Sequence, residues 1–177
     1  LIAGGDGAIR KAVEGAEDEP DGAWRDLQLY HPSELDTLIG IAASGSTPYV
    51  VGGIRAARKA GLLTGCITCN PDSELAKAAQ IPVVAVPGPE FVTGSTRMKA
   101  GTAQKMILNM ISTTLMIRLG HVKGNRMVDM QLTNSKLVDR GTRMIMDASP
   151  ISDYDQARAL LLKYGSVREA LDATEDK

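Results

Sequence analysis

Three stretches of the chain gather side chains able to do chemistry. The first is Ala43-Ser44-Gly45-Ser46-Thr47-Pro48, which ends one apolar run and precedes a helical pattern. Open α/β sheets bind ligands at such a strand-to-helix junction. Free backbone N–H groups and the positive end of the helix dipole favour a phosphate there. Ser44, Ser46 and Thr47 add hydroxyl donors, and Gly45 lets the backbone approach a ligand closely. The same residues would also make an ordinary helix cap, since Ser and Thr are common there. The second stretch, 88–99, places Glu90, Ser95, Arg97 and Lys99 among glycines and further hydroxyls. That composition suits an anionic sugar derivative, and it equally suits a capped helix start carrying solvated basic residues. The third is an acidic group: Glu14, Glu17, Asp18, Glu19 and Asp21. On a helix Glu14 and Glu17 would share a face; taken alone, such a group reads as a solvated helix end.

Other chemistries find little support. His31 and His121 are isolated, no His/Cys/Asp spacing resembles a zinc site, and no Ser-His-Asp set assembles. Cys66 and Cys69 form a C-x-x-C pair, but inside an apolar run that reads as a strand. Residues three apart on a strand face opposite sides, so buried small residues are the better reading. Reduced cysteines fit a cytoplasmic setting.

The elements that must position these residues follow from periodicity. Ala8, Ile9, Ala12, Val13 and Ala16 recur at helical spacing and predict a helix over 6–19, with Pro20 after its end. Residues 20–34 read as irregular, although Trp24, Leu27 and Leu29 must find cover. The near-continuous apolar run 35–43 predicts a buried parallel strand. Pro48 suits the first position of a helix reaching about Lys59, before Gly61. Strands over 62–69 and 81–86 follow, with a short helix near 73–79 between them. Helices are expected at 95–119, 126–147, 153–163 and 166–172. Strand, helix, strand, helix, strand is the pattern of a doubly wound parallel sheet.

Composition sets the limits. With 177 residues, 44% apolar and 23% charged, the chain can form one soluble domain with a real core. Aromatics are only 3%, so that core must be aliphatic. A formal net charge of −1 and few aromatics argue against nucleic acid as a partner. No run of 18 or more apolar residues exists, so no membrane-spanning helix is expected. The opening Leu1-Ile2-Ala3-Gly4-Gly5 reads like a strand end entering a loop, which raises the expectation of upstream sequence.

The run GPEFVTGSTRMKAGTAQKMILNMISTTLMIRLG, residues 88–120, carries a resemblance. It is similar to the signature region shared by bacterial N-acetylmuramic acid 6-phosphate etherases and the animal glucokinase regulatory protein. IAGGDGAIRKAVEGAED (2–18), GIAASGSTPYV (40–50) and GNRMVDMQLTNSKLVDR (124–140) resemble the etherases in the same order. The likeness covers about residues 1–147.

The resemblance implies a flavodoxin-like sugar isomerase domain: a parallel sheet sandwiched by helices. Here it would occupy 1–123 and lack its first strand, with a C-terminal helical segment over 124–177. In the family's strand order that first strand lies between the second and the third. It implies a lyase of cell-wall amino-sugar recycling that releases D-lactate from a phosphorylated amino sugar, with no cofactor and no metal. Glu17 matches the family's base. A base working near neutral pH wants its ionisation mildly disfavoured, by partial burial or by Glu14, Asp18 and Glu19 nearby. The acid is implied to lie upstream of these residues. Ser44, Gly45 and Thr47 match a sugar-phosphate loop; Ser46 stands where Arg is usual. The family and the apolar surface of the 95–119 helix both imply a homodimer. A non-catalytic sugar-phosphate sensor like the glucokinase regulatory protein is the other expectation.

Overall fold

A computed structural model describes residues 1–175. The chain packs as two units, Leu1–Met110 and a second from Ile111 onward. In the first, β1 (Thr37–Ile41), β2 (Leu63–Thr68) and β3 (Ile81–Val84) form a parallel sheet in the order β1-β2-β3. Ile39 lies opposite Gly65, and Gly65 opposite Ile81. Parallel neighbours need crossovers, which are supplied by α2 (Pro48–Lys59) and α3 (Glu74–Ala78). This is the expected α/β architecture, but β1 is not the buried strand expected: it forms an open edge, with Ile39 and Ile41 about 40% exposed.

The core of this unit lies between helices and sheet. Val51 and Ile54 of α2 pack with Ala42, Cys66, Leu75, Ala78 and Ala79. The close approach of α2 to β1 depends on Gly40, whose added Cβ would lie 2.7 Å from Ile54 Cγ1. Thr64 is fully buried, and its hydroxyl and N–H both donate to Gln80 Oε1, at 3.0 Å.

Two expectations near the N-terminus need correction. Residues 6–19 form two short 3-10 turns, Asp6–Ile9 and Ala16–Asp18, instead of one helix. Gly15 sits at φ 76, which a helix does not permit. Ile9 and Val13 remain 70% and 49% exposed, so the apolar stripe is only partly covered. Without that packing a glycine-rich segment has little reason to stay helical. Residues 20–34, expected to be irregular, instead contain α1 (Gly22–Gln28). Tertiary contact accounts for it: Ala23 is buried, and Tyr49 of α2 donates its hydroxyl to Asp26 at 2.6 Å. A Cβ on Gly52 would lie 1.8 Å from the Pro20 carbonyl oxygen, so α2 must present glycine to the segment leading into α1. Leu29, expected to find cover, is 77% exposed.

The helix expected over 95–119 is α4 (Lys99–Arg118). In the second unit, β4 (Val122–Lys123) and β5 (Arg126–Met127) form an antiparallel hairpin. It is followed by α5 (Ser135–Ala148), α6 (Tyr154–Tyr164) and α7 (Val167–Glu175). The helix expected over 126–147 therefore begins nine residues late. Gly124, at φ 64, and Asn125 make the two-residue turn of the hairpin. Asn134 then caps α5 by accepting from the Leu137 N–H at 3.0 Å. The core here is aliphatic: Val128, Met144, Ile145, Leu161, Val167 and Leu171 are buried together. No helix among the described residues is long and apolar enough to cross a membrane.

Candidate active site

The C-terminal end of β1 runs into the loop at 42–47, and close packing fixes the shape of that loop. Gly45 has φ 70, and a Cβ there would lie 2.3 Å from both Cβ and Oγ of Ser73 and 2.7 Å from Thr68 Oγ1. Only glycine fits, on both conformational and steric grounds. The Gly45 carbonyl accepts from the Leu75 N–H at 3.0 Å, which ties the loop to the start of α3. Ser44 Oγ accepts from the Ser46 N–H at 3.3 Å and from the Ser46 hydroxyl at 3.1 Å.

Thr47 is the N-cap of α2 by position, yet its side chain makes no capping hydrogen bond. By contrast, the N-cap residues Ser73 of α3 and Asp153 of α6 each accept from their helix's first turn. The ordinary-cap reading of the loop thus loses its main support at Thr47. A half-buried hydroxyl stands uncommitted at a helix N-terminus, where an anion is favoured.

A cavity of about 790 Å³ opens beside this loop, between residues 1–3 and β1, the open edge of the sheet, where the resemblance places a further strand. Its walls include Ser44 and Thr47, the β1 residues Leu38 to Ile41, and Glu17 with Glu14 and Asp18. Thr96 and Gln104 also line it. The predicted base and the predicted phosphate loop, 27 residues apart between Glu17 and Ser44, therefore line one cavity. Glu17 is exposed, so the partial burial expected of a tuned base is not found among these residues. Its neighbours Glu14 and Asp18 line the cavity with it, although the shared helix face proposed for Glu14 and Glu17 does not exist.

The second stretch is arranged differently. The Glu90 carboxylate accepts from the backbone N–H groups of Lys99 at 3.0 Å and Ala100 at 2.9 Å. Those bonds hold its pKa below the usual carboxylate range. Lys99 Nζ donates to the Pro89 carbonyl at 2.8 Å. Glu90 thus serves as a cap for α4 from nine residues upstream, and Lys99 closes the loop behind it. Neither residue lines the cavity, and neither do Gly45, Ser95 or Arg97; Thr96 is the residue of the GSTRMK segment that does. Sequence reasoning missed Gln104. The available signal was its helical phase: Ala100, Gln104 and Ile107 share a face of α4, and Ala100 and Ile107 are buried.

The cysteines behave as small core residues. Both are free, Cys66 is buried and Cys69 half-buried, and burial pushes both thiols up from their ordinary values. That disfavours thiolate chemistry. No group of three or more metal-ligating side chains occurs among the described residues.

The parallel sheet, with its loop of small hydroxyl residues at a helix N-terminus, is an α/β arrangement of the kind that binds ligands at strand ends. Residues 1–58 match the family model of the glucokinase regulatory protein N-terminal SIS domain. Over its whole length the chain is 63% identical to an N-acetylmuramic acid 6-phosphate etherase of Christiangramia forsetii, of which it covers 64%. Proteins of the same name from Bacteroides thetaiotaomicron and Porphyromonas gingivalis are each 60% identical, over 98% and 100% of this chain and 62% and 64% of their own lengths. The resemblance carried by the motifs thus holds along the entire chain, which spans about 64% of the length of the relatives it matches.

Proposed function

We propose that the full-length protein is a carbon-oxygen lyase that cleaves the D-lactyl ether of N-acetylmuramic acid 6-phosphate. The products are N-acetylglucosamine 6-phosphate and D-lactate. The observation that carries the reading is the 55–63% identity to proteins bearing the etherase name, along a chain whose Glu17 and Ser44–Thr47 loop lie near one another.

The chemistry asks for a proton to leave carbon next to a carbonyl while an ether oxygen departs. In the ring-opened sugar Glu17 removes the C2 proton. The electron pair moves to form a C2–C3 double bond, and the C3–O bond to lactate breaks. An acid protonates the departing oxygen; the resemblance assigns that acid to a carboxyl outside these 177 residues. Water then adds across the double bond, returning a proton to C2 and a hydroxyl to C3. No electron acceptor is required. The N–H groups at the start of α2 and the hydroxyls of Ser44 and Thr47 hold the phosphate, with Gly45 shaping the loop. Ser95, Arg97 and Lys99 belong to the substrate side of the same assignment, Glu90 and Lys99 by fixing the loop before α4. In this reading 1–123 is the sugar-binding domain and 124–177 its helical extension. The protein works in the cytoplasm as a homodimer.

The test is D-lactate release from N-acetylmuramic acid 6-phosphate by the full-length protein. Glu17→Gln keeps the shape and removes the basicity. It should lower the rate by roughly two to four orders of magnitude, with ground-state binding little changed. Exchange of the C2 proton with deuterated water should fall in parallel. Exchange at the parent rate would remove Glu17 from the role of base. A sugar-phosphate sensor is favoured by one observation, the match of residues 1–58 to the regulatory-protein domain. A protein that binds the sugar phosphate and releases no D-lactate would establish that reading instead.

A further inference from the structure

Thr68 ends β2 and is fully buried. A buried hydroxyl costs free energy unless it is hydrogen-bonded, and valine would fill the same space in a strand without that cost. The Thr68 hydroxyl donates to the Ala43 carbonyl at 3.3 Å and accepts from the Asn70 N–H at 3.3 Å. Ala43 leads from β1 into the loop at 44–47, and Asn70 opens the turn into α3. One hydroxyl thus bridges both segments. The same oxygen lies 2.7 Å from where a Cβ on Gly45 would stand, and Ser73, carried by that turn, lies 2.3 Å from it. The Leu75 N–H then holds the Gly45 carbonyl at 3.0 Å. Each of these groups comes from the exit of β1, the exit of β2 or the start of α3, and none is left waiting for a partner beyond the open edge of β1. Thr64, on the same strand and equally buried, turns its hydroxyl to Gln80 instead.

We infer that Thr68 is a positioning residue for the phosphate loop: its hydroxyl fixes the exit of β1 and the turn before α3 in the arrangement that presents residues 44–47 to the anion. This role rests on the reading of that loop given above. Donors at the start of a helix hold a phosphate well when they are already in place; a loop that must be ordered on binding loses affinity by that ordering. Without the hydroxyl, the Ala43 carbonyl keeps only the Cys69 N–H, at 2.9 Å, and the Asn70 N–H loses its acceptor. Ser73 is then free to shift from Gly45, and the path from Ala43 to Pro48 is no longer singly determined. Thr68 touches neither sugar nor phosphate in this account; it acts through Ala43, Gly45 and Ser73. The phosphate keeps its charge and bonds through the reaction, so a weaker hold on it raises KM and leaves kcat in place.

Calorimetry on the full-length protein tests this with two probes, inorganic phosphate and N-acetylglucosamine 6-phosphate. Thr68→Val keeps the shape and removes the hydroxyl. It should raise Kd for both probes roughly tenfold. In turnover of N-acetylmuramic acid 6-phosphate it should raise KM with kcat unchanged. Thr68→Ser keeps the hydroxyl and loses a buried methyl, so it should bind both probes as the parent does although its thermal midpoint falls. Thr68→Ala differs from the Ser variant by the hydroxyl alone; it should bind as weakly as Thr68→Val and takes its place if that variant fails to fold. Thr64→Val is the control: it loses an equally buried hydroxyl and should lower the midpoint without moving either Kd. Affinity that merely follows the thermal midpoint across these variants, or that is unchanged in Thr68→Val, makes Thr68 an ordinary core residue. That outcome leaves the loop reading standing where Thr47→Val still weakens both probes. A parent protein that binds neither probe strikes the loop reading, and the role of Thr68 with it.

Discussion

At the scale of single residues, the loop after β1 separates two roles that sequence left mixed. Ser44 and Ser46 spend hydrogen bonds on each other, and Gly45 is fixed by the crowding of Ser73 and Thr68. Thr47 keeps its hydroxyl free of the helix it begins. Thr47→Val, nearly isosteric, should therefore cost little stability and weaken sugar-phosphate binding by about 1–2 kcal/mol, the worth of a hydrogen bond to a charged group. Titration calorimetry reads the affinity, and a thermal scan checks the fold. Unchanged affinity in a folded variant would move the phosphate elsewhere. Glu90 shows the reverse case. Its position after a strand and before a helix suggested a ligand contact, yet its carboxylate is occupied by the N–H groups of Lys99 and Ala100. An acid in a helix-opening segment has two uses, and only the local backbone path selects between them.

At the scale of elements, Asp129, just past the hairpin of the second unit, ties α7 to it alongside the core that Val128 and Val167 share. Asp129 receives Arg168 Nε at 2.8 Å and Nη2 at 2.7 Å, and it pairs with His121 Nδ1 at 2.7 Å. Arg168 also donates to the Gly120 carbonyl. The hydrogen-bonded guanidinium, assisted by His121, holds the Asp129 carboxyl down at about 2, against an ordinary 3.8. Because the folded-state pKa is the lower one, the unfolded chain binds the proton more readily. The stabilisation is thus fully present above about pH 4 and is lost as pH falls through about 2. Asp129→Asn should destabilise the full-length protein at neutral pH by roughly 1–2 kcal/mol, a figure discounted for solvent screening of a partly exposed pair. The gap between parent and variant should close as denaturant curves are recorded from pH 4 down toward pH 2. A gap that stays constant over that range would mean the clamp contributes nothing through its charge.

At the scale of the whole molecule, α4 bears on assembly. Met106, Met110, Leu115 and Ile117 are each more than half exposed, and Leu108 and Met116 about 40%. A helix that leaves this much apolar surface uncovered favours association. Sedimentation of the full-length protein at micromolar concentration should give twice the monomer mass; a single monomeric species would remove the dimer.

Much of this protein was legible in its sequence where the signal is local or strictly periodic. The three strands, α2 with its Pro48 start, α3 and α6 fall within a residue or two of their expected places, because apolar runs, proline and glycine act through the backbone itself. The motifs located the loop at 44–47 and singled out Glu17. Tertiary structure decided what depends on distant partners. Helical spacing over 6–19 came to nothing because Ile9 and Val13 stay largely exposed and Gly15 takes a left-handed turn, whereas 22–28 became helical because α2 offers Ala23 and Asp26 a surface. The Gly124-Asn125 turn overrode a helical pattern through the hairpin and core around it. Glu17, Ser44 and Thr47 come near one another beside the open edge of β1, a fact no local spacing contains. Periodicity reports what a segment is able to bury, and only the assembled chain supplies the surface that buries it.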